Sequence, residues 1–144
     1  LEFRRVLFRS LHEKVSPLAR ITKGAQAGLD ECDRHLSAGK RGMVGLHAAF
    51  TCSDETIEAA AALAAKHGVG VHVHVAEAVD DAAAGARLAP RTTDDWLLVH
   101  TVHLDRPLRG RIAHNPRSNM NNAVGRAPIG ALGEHVALDT DLHE

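Results

Sequence analysis

Between residues 43 and 141, apolar runs of strand length alternate with helical or polar segments. MVGLHA, Met43 to Ala48, is the first run fit for a strand. Ser53 then stands as a helix N-cap, and Asp54 and Glu55 favour the helix dipole in the first turn. The segment DETIEAAAALAAKH predicts a helix that Gly68 ends. VGVHVHVA predicts the next strand, an alanine-rich segment runs to about Leu88, and WLLVHTV predicts a strand from Trp96. RIAHN, a loop rich in Asn and Gly, a short helical piece and HVALDT complete the pattern. Residues 11–38 read as weakly helical, with Gly24 and Gly28 interrupting them. Strand, helix and strand at this spacing predict parallel β/α units rather than a sandwich or a bundle.

The strand VHVHVAE raises a chemical question. Alternation along a strand sends His72, His74 and Ala76 to one face and Val71, Val73 and Val75 to the other. Both faces of a helix-covered parallel sheet are buried, and a buried imidazole costs free energy unless it is hydrogen-bonded or metal-bound. Glu77 falls just past the carboxyl end, where β/α folds carry their chemistry. A neutral imidazole followed three residues later by a carboxylate suits a metal ligand beside a proton shuttle. Two satisfied core histidines and a surface glutamate are the bland alternative on this stretch alone. Other predicted strands end alike, in His47, His100 and His103, His114 and Asn115, and Asp139 and Asp141. That series is hard to obtain from packing needs and points to a mononuclear or binuclear metal site at the mouth of a barrel.

Composition narrows the picture further. The chain has 144 residues, 44% hydrophobic and 24% charged, enough for one domain with a core. A net charge of −1 gives no electrostatic case for nucleic acid or an anionic membrane as a partner. No run reaches membrane-spanning length and no segment has signal-peptide layout. Cys32 and Cys52 form no metal-spaced pair and fit a reducing, cytoplasmic setting. Histidine is the outlier, at 11 residues.

The first ten residues, LEFRRVLFRS, resemble the in-frame translation of a short-read sequencing adapter. Residues 1–10 are therefore set aside as non-native, and residues 11–144 are read as the partial barrel. The natural sequence is expected to begin earlier, which makes this chain a fragment.

GLHAAFTCSDET, HVHVAE, VHTVHLD and above all IAHNPRSNMNNAVGRAP resemble the amidohydrolase superfamily. Within it the resemblance is to the deaminase and chlorohydrolase branch, and most closely to the aminohydrolases of SsnA type. It runs from about residue 40 to 141. It implies an α/β fold, the C-terminal portion (approximately strands 4 to 8) of a (β/α)8 TIM-like barrel, incomplete here. It also implies one divalent metal, zinc more than iron, and hydrolytic deamination or dechlorination of a heterocycle or cyclic amidine.

By motif position His74 matches the fifth-strand metal ligand and Glu77 the proton shuttle. His100 matches the sixth-strand histidine that orients the metal-bound water or the tetrahedral intermediate. Asp141 matches the eighth-strand aspartate, both a ligand and a proton acceptor. His47 matches a substrate-contacting histidine. Asn115 and Asn119, with His114, fall in the seventh-strand signature, where loop architecture is expected, and count as candidate substrate-binding residues. His72 and His103 are assigned to structure, and His12, His35, His67, His135 and His143 to no motif. The implied partner is a small-molecule substrate, without nucleic acid or membrane, and a homo-oligomeric parent is compatible with the resemblance.

The sequence also departs from the family. A complete barrel takes about 250 residues, and residues 11–41 hold no His-x-His for the first strand. Two of the family's ligands are therefore missing, and the truncated chain is expected to be inactive alone. The connection DRPLRG is too short for a helical crossover, which takes about a dozen residues or more. The connections after Glu77 and after Pro128 are short too. Leu142 stands where the family has glycine, and Asp139 adds a charge. Two readings from other classes remain: a non-catalytic α/β module with structural histidines, and a histidine-rich metal buffer.

Overall fold

A computed structural model of the chain describes residues 19–132 and 136–138. The adapter-like segment, residues 11–18, His12, His135, Asp139, Asp141, Leu142 and His143 lie outside the described residues. Helix α1 (Ala19–Ser37) leads into β1 (Val44–Ala48), α2 (Asp54–His67) and β2 (Val71–Val75). A short α3 (Ala82–Ala86), β3 (Leu97–His100), β4 (Arg111–His114), α4 (Pro116–Asn121), α5 (Ile129–Leu132) and β5 (Val136–Leu138) follow. The five strands form one sheet in the order β1-β2-β3-β4-β5. Every neighbouring pair is parallel. Strands added in sequence order without reversal make part of a barrel wall; a doubly wound sheet reverses direction at a switch point.

The helix α2 forms for the reasons its sequence suggests. The Ser53 hydroxyl accepts from Thr56 N at 3.2 Å, and Gly68 ends the helix in the left-handed conformation at φ 64°. Its buried face, Ile57, Ala60 and Ala64, packs with Leu29 and Leu36 of α1 onto Val44, Leu46, Val71, Val73 and Val75 of the sheet. This is the helix-facing side of the wall. The opposite side carries Gly45 and His47 of β1 and His72 and His74 of β2, with Leu97 and Val99 beside them in register.

Two connections differ from expectation. Residues 101–110 carry no helix, yet β3 and β4 pair in parallel. Leu104 enters the core where a crossover helix would lie. At Gly110, φ 138°, the chain passes so close to Trp96 that a Cβ would come within 3.1 Å of its carbonyl oxygen. The segment after His114 is also not simply a loop. Pro116 presets the first turn of α4, and Asn115 precedes it as N-cap.

Candidate active site at the carboxyl ends of the strands

The ends of β1, β2 and β3 bring four imidazoles together. The His74 ring lies 5.9 Å from His47, 5.6 Å from His72 and 5.1 Å from His100, measured between centroids. His47 is exposed, His74 half-buried, and His72 and His100 buried. His47 Nδ1 lies 3.3 Å from Thr51 Oγ1, whose hydroxyl donates to Ala48 O. Arg87 braces the same turn by donating to Cys52 O at 3.0 Å and to Asp54 Oδ1 at 2.9 Å. His103 donates to Val124 O at 2.7 Å and so ties the loop after β4 to the exit of β3.

His100 reaches this cluster through an unusual backbone. Its register partner on β2 is Val75, which belongs to the helix-facing core. Paired residues of a parallel ladder share a face, so register alone would turn His100 toward the helices. Instead its φ is +72°, and Thr101 follows at +53°. The left-handed turn swings the imidazole back against His74. Ala76, at the end of β2, has φ +48°. Such conformations in residues other than glycine cost about 1–2 kcal/mol each, and they recur where geometry serves function. The two exits are laced together by Thr101 N donating to Val75 O and His103 N donating to Ala76 O, each at 2.9 Å.

Glu77 sits across from His100. Its Oε2 is 3.6 Å from His100 Nε2, and its Oε1 accepts from Asn122 Nδ2 at 3.1 Å. The backbone N–H of Glu77 donates to Asp81 Oδ2 at 3.2 Å. Burial pushes the Asp81 carboxyl above the usual range. Behind His100, Nδ1 lies 2.8 Å from Asn119 Oδ1, and Asn119 Nδ2 lies 3.4 Å from His114 Nδ1. His100, Asn119 and His114 are each at most 1% exposed. Burial lowers the His114 pKa. Asn115 is buried as well, at 2%.

The structure thus brings His47, His74, Glu77 and His100 into one group and sets Asn119 behind His100. Asp141 lies outside the described residues. Sequence reading did not single out Asn122, Asp81 or the bridging position of Asn119. The Asn122–Glu77 and Asn119–His100 contacts join residues 45 and 19 apart in the chain, which no spacing rule announces, whereas Asp81 lies only four residues from Glu77. His67, assigned to no motif, also has a partner: its Nε2 is 2.6 Å from Asp33 Oδ1.

Among the described residues no group of three or more His, Cys, Asp or Glu is arranged to hold a metal ion. Of the residues that the resemblance assigns to a metal only His74 is described, so these residues do not by themselves make a metal centre.

Comparison with known proteins agrees with the fold. The chain is 36% identical to a 5-methylthioadenosine/S-adenosylhomocysteine deaminase of Pelotomaculum thermopropionicum, over 84% of this chain and 34% of that protein. An adenosine deaminase from Xanthomonas campestris with bound zinc superposes with a TM-score of 0.61 at 25% identity, over 85% of this chain and 31% of that one. A triazine hydrolase from Arthobacter aurescens shares the fold, with a TM-score of 0.65 at 23% identity, over 88% of this chain and 32% of that one. The chain spans about a third of the length of the curated relatives it matches. The model of the Amidohydrolase family matches residues 10–143, and the chain belongs to that family.

Proposed function

We propose that this chain is the strand-4-to-8 part of a metal-dependent aminohydrolase that removes an amino group from a heterocycle by hydrolysis. The adenine nucleosides named for its relatives are the first substrate class to test. The observation that carries this reading is the Glu77–His100 pair, Oε2 to Nε2 at 3.6 Å, held against the His74 ring at the strand ends. In this reading Glu77 carries a proton to the ring nitrogen and then to the departing amine. His100 orients the attacking oxygen, and His47, exposed at the rim, contacts substrate. Phe50, Val79 and Met120, exposed on the segments after β1, β2 and β4, offer apolar contacts to a flat ring. His74 and Asp141 are the two residues assigned to the cofactor, one divalent metal, zinc before iron. The described residues do not by themselves close around an ion. A cytoplasmic location rests on the two free cysteines.

A second reading is a non-catalytic α/β module, in which the buried His72 and His100 are structural. Ammonia release from an adenine nucleoside by the complete protein separates the two. The enzyme reading expects release that Glu77→Gln abolishes while zinc content stays unchanged. Wild-type turnover in Glu77→Gln, or zinc lost along with activity, would remove Glu77 from its role.

A further inference from the structure

Asn119 is fully buried, and a buried amide is costly unless both of its ends are satisfied. Both ends meet an imidazole. Its Oδ1 lies 2.8 Å from His100 Nδ1 and its Nδ2 lies 3.4 Å from His114 Nδ1. A carbonyl oxygen can only accept and an amide N–H can only donate. The first contact therefore requires a proton on His100 Nδ1, and the second requires a lone pair on His114 Nδ1. A neutral ring carries one N–H, so in its neutral form His100 then has its unprotonated Nε2 on the far side, 3.6 Å from Glu77 Oε2. His114 by the same logic carries its proton on Nε2, an atom that is buried with no hydrogen-bond partner among the described residues. The backbone of Asn119 is pinned on both sides, its N–H donating to Asn115 O at 2.9 Å and its carbonyl accepting from Val124 N at 3.1 Å.

We propose that Asn119 is a positioning residue: one side-chain amide reads two imidazoles in opposite senses and fixes the tautomer of each. The consequence falls on Glu77. A proton carried by its carboxyl meets an acceptor at His100 Nε2 rather than a second donor. The use made of His100 rests on the aminohydrolase reading, whereas the tautomers themselves need neither metal nor substrate.

Long-range proton–nitrogen NMR of the full chain, above the ordinary histidine titration range, reads each tautomer directly. The wild type is expected to show His100 protonated at Nδ1 and His114 at Nε2. Asn119→Asp keeps an acceptor for His100 but offers His114 only oxygens, so His114 should move its proton to Nδ1 while His100 stays unchanged. Asn119→Leu removes both partners, and His100 should populate the Nε2–H form. A wild-type His100 protonated at Nε2, or no change at His114 in Asn119→Asp, overturns the proposal. If Asn119→Leu does not fold, the wild-type and Asn119→Asp spectra still decide, because a purely structural amide would move neither proton. Failed ammonia release with these tautomers present would remove the enzymatic reading alone.

Discussion

Asn122 donates its side-chain amide to Oε1 of Glu77 at 3.1 Å, joining residues 45 apart in the chain. The bond leaves Oε2 to face His100, so it fixes which carboxylate oxygen meets which neighbour. Asn122 is exposed, and its removal should hardly touch stability. A single hydrogen bond is worth about 0.5–1.5 kcal/mol, which corresponds to roughly a 2- to 10-fold change in rate. Asn122→Ala in the complete protein should lower ammonia release by about that factor with an unchanged unfolding midpoint. Full wild-type turnover would show that the orientation of Glu77 does not depend on this contact.

The α1–α2 contact should be the acid-sensitive part of the fold. Lys66 Nζ lies 2.8 Å from Asp33 Oδ1 and His67 Nε2 lies 2.6 Å from it. The hydrogen bond from Lys66, then that from His67, holds the Asp33 carboxyl down from 3.8 to about 2. A lowered carboxyl pKa means that the unfolded chain takes up the proton first as pH falls. The stabilisation is therefore complete above about 3.8 and is lost as pH drops through about 2. Denaturant unfolding followed across that window should show a fall in stability that Asp33→Asn removes. An identical slope in the variant would locate the acid sensitivity elsewhere.

Much of the wall was legible because its signals are local. The Asp54–His67 helix has the predicted bounds, since Ser53 and Gly68 act within one turn of its ends. The strand ends bearing His47, His74 and His100 follow from apolar runs of strand length. What escaped was set by tertiary contact. WLLVHTV reads as apolar through Val102, yet β3 stops at His100 because the backbone turns left-handed there. The Asn-rich stretch after His114 looks like a loop, but Pro116 starts a short helix that delivers Asn119 to His100. The six residues DRPLRG, 105–110, look too few for a crossover because the count assumes a helix, and Leu104 just before them fills the core without one.

Gly70 makes a close approach that no other residue can make. A Cβ built there would stand 1.8 Å from the carbonyl oxygen of Asp95, a backbone atom that cannot swing aside. Its own carbonyl accepts from Val44 N at 3.0 Å, so the position joins β1 to β2 at their amino ends. Gly70→Ala should cost about 3 kcal/mol or more, at or beyond the upper range for overpacking. Gly45, with nothing within 4 Å of a built Cβ, is the control on the neighbouring strand. Equal unfolding midpoints for Gly70→Ala and Gly45→Ala would contradict the close approach.

His72 and His74 alternate on the same face of β2, yet they should fail in different ways. His72 is buried at 6% exposure, one step deeper in the wall, while the half-buried His74 stands where the rings of His47 and His100 converge. If His74 is a ligand, its loss removes a donor from the mouth of the site but leaves the packed layer beneath it intact. His72→Ala instead empties space inside the wall, and deletions in packed interiors of that kind cost about 2–5 kcal/mol. In the complete protein, His74→Ala should therefore lose zinc with a small change in stability, whereas His72→Ala should keep zinc and unfold at lower denaturant. Zinc content read beside an unfolding curve for each variant tests both halves at once. Zinc lost in His72→Ala and kept in His74→Ala would reverse the assignment and make the deeper imidazole the ligand.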